Sequence, residues 1–145
     1  MSGHESFDHA IQEGDLWLRK VAERLHFEDR RHAYSGLRAI LHALRDRLTP
    51  ESAVHLSAQL PMIIRGLYFE GWHMSGKPVS VSSVDEFCTY VTERLPPKFP
   101  MDAKTLAQGV FEVIWGELDP GEVAKIIDQL PVALRALWPA IARRG

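Results

Sequence analysis

The chain has 145 residues, 46% of them hydrophobic and 25% charged, with a formal net charge of −2. Such a balance fits one globular domain with a sizeable core, and it offers no broad electrostatic attraction to nucleic acid or an anionic membrane. The single cysteine, Cys88, closes no intramolecular disulfide, and no apolar run nears the ~20 residues that span a bilayer, so the expectation is a cytoplasmic protein without membrane contact.

Residues 1–14 are polar, lack a signal-peptide pattern and are expected to fray, as are Arg143, Arg144 and Gly145. A first helix is predicted over about 15–26, with Trp17, Leu18, Val21 and Leu25 on one face. A second follows over about 30–48, where Leu37, Ile40, Leu41, Leu44 and Leu48 keep the 3.6-residue period. Thr49 before Pro50 has the chemistry of a cap followed by proline at the first helical position, opening a third helix, and Pro61 restarts the chain as a fourth. Gly71, Ser75, Gly76 and Pro78 mark 69–84 as a crossover. Beyond it, Ser83 and Glu86 have capping-box spacing at the head of a helix over about 83–95. A helix over about 102–118 comes next, and Asp119-Pro120 and Pro131 repeat the earlier punctuation. With no alternating stretch, the fold class is all-α, about eight helices in a single domain spanning 1–145.

The punctuation repeats because the sequence does. QLPMIIRGL at 59–67 returns as QLPVALRAL at 129–137, and at the same offset of 70 Asp15/Asp85, Val21/Val91, Glu23/Glu93, Arg24/Arg94, Leu48/Leu118 and Pro50/Pro120 are also identical. The reading is two tandem, pseudo-symmetric four-helix repeats, about 15–68 and 85–138, joined by the crossover. Both fourth helices look apolar nearly all round, which places them at the centre of the fold. The guanidinium groups of Arg65 and Arg135 must then be paired or reach water along their stems. A structural partner should be duplicated too, which leaves Glu23, Glu93, Asp15 and Asp85, or the carbonyls at helix ends.

Few residues suggest chemistry. Glu23/His26 and Glu70/His73 have the Glu-x-x-His spacing of bundle metal sites, but Glu23 lies opposite the core face of its helix and Glu70 falls where a helix should end. Contacts of a surface metal with Glu51/His55 or His4/His9 would be adventitious. Cys88 matches Leu18 in the other repeat and reads as a small buried hydrophobe. Ser80, Ser82 and Ser83 lack a nucleophile elbow, and no glycine-rich loop precedes a helix. No catalytic, metal or cofactor residue is therefore assigned, and no cofactor is expected. Arg30, Arg31, Arg38, Arg45 and Arg47 alternate with acids, as on a solvated helix face rather than a specific nucleic-acid surface. The departure from the repeat is Tyr68-Phe69-Glu70-Gly71-Trp72-His73. Arg65, Tyr68, Phe69, Trp72 and His73 form the candidate ligand or partner surface, set against a plain packing role for the aromatics.

WLRKVAERL at 17–25, AYSGLRAILHALRDRLTPESAVHLSAQLPMIIRGLYFEGW at 33–72 and ELDPGEVAKIIDQLP at 117–131 together resemble the bacterial domain-of-unknown-function family 2267. The resemblance implies an all-helical fold and carries over no catalytic residue. The functional expectation is a non-enzymatic cytoplasmic protein-interaction or regulatory module with an unknown protein partner, a homodimer being one form of it. The alternative is a small-molecule binder or enzyme with a site at the seam between repeats.

Overall fold

Six side chains set the helix starts, each accepting a hydrogen bond from one of the backbone N–H groups a first turn leaves free. Ser2 opens α1 (Gly3–Leu25), Asp29 α2 (Arg30–Arg47) and Thr49 α3 (Pro50–Ser57), while α4 (Met62–Phe69) follows Pro61 without a side-chain cap. Ser83 opens α5 (Val84–Thr92), Asp102 α6 (Ala103–Glu117) and Asp119 α7 (Pro120–Asp128); α8 (Val132–Arg135) and a 3₁₀ turn at Ala140–Ala142 follow. The structure, a computed structural model, describes residues 2–143. Among them are eight α-helices and no strand, so the fold is all-α.

α2 and α6 form the centre. Every residue from Ala39 to Asp46 is buried, because α2 meets α1, α4, α5 and α6 around its circumference. α1 lies across both central helices, α7 joins α3 to α6, and α8 packs on α5 and α7. Two glycines permit the tightest crossings. A Cβ on Gly109 would fall 2.3 Å from Leu25 Cδ2, and one on Gly36 2.7 Å from Leu106 Cδ1. Leu25 is itself buried and cannot swing aside. Gly109→Ala is therefore expected to destabilise by about 1–3 kcal/mol through overpacking, despite alanine's better helix propensity. Thermal unfolding of the variant measures this directly; an unchanged or raised midpoint would mean that α1 shifts freely over α6.

Two expectations fail. Residues 3–14 do not fray but extend α1 by about three turns. A reciprocal capping box between Ser2 and Glu5 holds its start, and His4–Asp8 (3.4 Å) and His9–Glu13 pair one turn apart. Met1, Arg144 and Gly145, which shared that expectation, lie outside the described residues. The fourth helices, α4 and α8, are not central either. Ile64 and Tyr68 are buried, but Met62 is 66% exposed and Val132 76%. After their proline breaks these helices run only eight and four residues, and the longer apolar faces of α2 and α6 occupy the middle.

Candidate functional site

The end of α4 leaves carbonyls that its own helix cannot satisfy, and α2 supplies the donors. His42 and Arg45 stand three residues apart on one side of α2. His42 Nε2 lies 2.8 Å from the Leu67 carbonyl oxygen, so the ring carries its proton on that nitrogen and donates. Arg45 Nη1 donates to the carbonyls of Tyr68 and Glu70, at 2.6 Å each, and Nε donates to Asp46 at 3.1 Å. Asp46 also accepts from the Tyr90 hydroxyl, and its backbone carbonyl receives the N–H of Val79. Arg47 Nε donates to the Val81 carbonyl at 2.5 Å, and Arg38 pairs with Glu70 at 2.7 Å. One helix thus fastens α4, the crossover and α5.

Burial sets the electrostatics here. It pushes His42 down to about 4, against the opposing pull of the Leu67 hydrogen bond and with help from Arg45 and Arg38. Burial, with the hydrogen bond to Asp46, pushes Tyr90 up to about 12. Arg45 and Asp46 were expected on a solvated face, yet each is 5% exposed. The expectation holds at the start of α2, where Arg30 and Arg31 are exposed, and fails at its end, where the α4 terminus and the crossover cover Arg45 and Asp46.

The candidates read from sequence do not converge on one cavity. Tyr68 is fully buried and its hydroxyl donates to the Ala53 carbonyl at 2.8 Å, tying α4 to α3. Phe69 packs edge-on to Tyr68 at 5.1 Å and against Trp72 at 5.4 Å, while His73 is exposed. The buried Trp72 Nε1 finds no acceptor. Arg65 donates to the carbonyls of Ser57 and Leu60, both at 2.9 Å, and Arg135 to those of Asp128 (2.8 Å) and Leu130 (3.1 Å). Both arginines therefore take helix-end carbonyls rather than the acids Glu23, Glu93, Asp15 or Asp85, and Asp15 is engaged by Arg30. Neither arginine is buried.

The surface that sequence reasoning passed over lies between α1 and α4. Ile63 seats against Gly14, where an added Cβ would come within 3.3 Å of Ile63 Cγ2. Beside that crossing Ile11, Leu18, Tyr34, Ile63, Gly66 and Leu67 line a depression of about 320 Å³, with Asp15 and Glu70 at its edge. The signal was present as Phe7, Ile11, Gly14 and Leu18, a stripe at helical spacing that runs through the polar N-terminal stretch.

Metal and thiol chemistry find little footing. Among the described residues no three of His, Cys, Asp and Glu gather as a metal site. Glu70 is taken by Arg38, and His55 pairs with Glu122 at 2.9 Å. Cys88 is half-buried rather than fully buried, and burial raises its thiol above the ordinary range, which disfavours the nucleophilic thiolate.

A family model described as "Uncharacterized conserved protein (DUF2267)" matches residues 14–137, most of the chain. The chain belongs to this family. The DUF2267 span contains the whole α2 cluster and both carbonyl-bound arginines, and it begins at Gly14, so Phe7 and Ile11 stand outside it. No curated protein matches the chain. Among the described residues no helix is long and apolar enough to cross a membrane.

Proposed function

We propose that this DUF2267 protein is a non-enzymatic helical module that works in the cytoplasm by holding a protein partner. One observation carries the reading: Phe7, Ile11, Tyr34, Met62 and Ile63 are large and exposed, with Ile11, Tyr34 and Ile63 lining the α1–α4 depression, Phe7 one turn before Ile11 on α1 and Met62 next to Ile63 on α4. Soluble monomers seldom leave contiguous apolar surface of that kind uncovered unless something binds it. The module is read as two copies of one four-helix unit. The identities at offset 70 support that, as do the matching caps Thr49 and Asp119 and the matching carbonyl contacts of Arg65 and Arg135.

The test is cross-linking in cell extract with the purified chain and its Phe7→Asp/Ile11→Asp variant. Proteins captured by the first should be lost from the second, with helicity retained; identical capture by both would sink the reading.

A second reading keeps a small-molecule site but moves it from the seam and from Arg65, Tyr68, Trp72 and His73, none of which lines the cavity, to the α1–α4 depression. What favours it is the depression itself, at about 320 Å³, near the lower end of ligand clefts, roughly 300–1,000 Å³. Native mass spectrometry of the purified protein separates the two readings, since a retained small molecule displaced by Gly66→Leu speaks for the ligand site.

A further inference from the structure

α1 outruns the helices that cover it. From Ser2 to His9 every residue is exposed, and the first buried residue is Gly14, where α4 crosses. This leaves about three turns, on the order of 16 Å, projecting as a ridge. Isolated helices that short are marginal in water, and among the described residues the ridge is held locally by its capping box, the Ser6 hydroxyl on the Ser2 carbonyl and two exposed His–acid pairs. Its apolar stripe, Phe7 and Ile11, continues the line along which Ile63 packs.

Area identifies the occupant. Phe7, Ile11, Tyr34, Met62 and Ile63 are 70, 53, 44, 66 and 44% exposed. With large side chains offering on the order of 150–250 Å² each, the apolar patch amounts to roughly 500 Å² per chain. That is half of the roughly 1,000 Å² a specific interface needs, and two such patches facing each other supply the whole. The shape suits this too, because a ridge beside a depression on one surface can meet its own copy about a twofold axis. Charge does not oppose it: the ridge carries Glu5, Asp8 and Glu13, and the acids that line the depression, Asp15 and Glu70, are already paired with Arg30 and Arg38.

We propose that this surface binds a second copy of the chain about a twofold axis, each α1 ridge lying across the other chain's α1–α4 depression. The proposal rests on the interaction reading above and names its partner. Sedimentation equilibrium over a concentration series tests it. The purified chain is expected to be a dimer, and Phe7→Asp/Ile11→Asp to raise the dissociation constant by roughly two orders of magnitude. Met62→Asp, on α4 rather than α1, should weaken the dimer as well, so that a local loss of ridge helix cannot alone account for the effect. A purified chain that stays monomeric throughout, or a dimer equally tight in both variants, overturns the proposal. In the monomeric case, patch-dependent capture of a different protein would leave the interaction module standing, and absence of any capture would remove both.

Discussion

Arg45→Met is expected to lower the free energy of unfolding by about 3–5 kcal/mol, read from denaturant midpoints at unchanged slope. Methionine keeps the stem's apolar contacts but removes a guanidinium that is 5% exposed and bonded to Asp46 and to the carbonyls of Tyr68 and Glu70. The Asp46 carboxylate then stays buried with only the Tyr90 hydroxyl, and the α4 terminus loses a donor that water cannot readily replace. Arg45→Lys should recover little, since one ammonium cannot reproduce the guanidinium fork across three acceptors. Arg45→Met/Asp46→Leu should recover more than Lys does, because it also removes the stranded charge. A loss below about 1 kcal/mol for Arg45→Met, typical of exposed pairs, would place that side chain in water after all.

The contrast with Arg65 and Arg135 shows where the sequence was legible. The two stand at the same place in the recurring QLP motif, and both donate to carbonyls at helix ends, which were among the partners foreseen. Burial was misjudged. A helical projection says which residues share a face, but not whether a neighbour covers that face. MIIRGLYF looked interior because almost everything in it is apolar, yet it lies at an edge and leaves Met62 and Ile63 uncovered. RRHAYSGLRAILHALRDR looked half solvated because its charges alternate, yet it is central, and its buried Arg45 serves the unpaired carbonyls of another helix. Capping residues and prolines act within a few positions, which is why α2, α3, α5, α6 and α7 started where expected. Phe7 and Ile11 escaped notice. The stripe they share with Gly14 and Leu18 was there to be read, but it runs through a polar stretch expected to fray, and both side chains stay largely exposed.

Between pH 6.5 and about 4 the protein should lose roughly 3 kcal/mol of stability through His42 alone. The sign follows from the direction of the shift. Burial lowers the folded-state value from 6.5 to about 4, so above 6.5 neither state binds the proton. Below 6.5 the unfolded chain takes it up and the folded chain does not, so unfolding becomes easier at up to about 1.4 kcal/mol per pH unit. Near pH 4 the folded chain begins to bind it as well and the loss levels off. The structural cause is specific: Nε2 already donates to the Leu67 carbonyl, and a charged ring would stand beside Arg45 and Arg38, with the attraction of Asp46 the smaller influence. Exposed carboxylates such as Glu70, Glu112 and Glu122 have values held below the ordinary glutamate range by their cationic or hydrogen-bonding partners, so their pairs are lost mainly under more acidic conditions. The upper part of the window therefore isolates the histidine. His42→Gln keeps an N–H donor near Leu67 without a titrating ring, and its denaturation midpoint should vary much less between pH 6.5 and 4.5 than that of the parent. Equal slopes for the two proteins would mean that the His42 ring reaches water in the folded chain and that the α4 terminus is held by Arg45 without it.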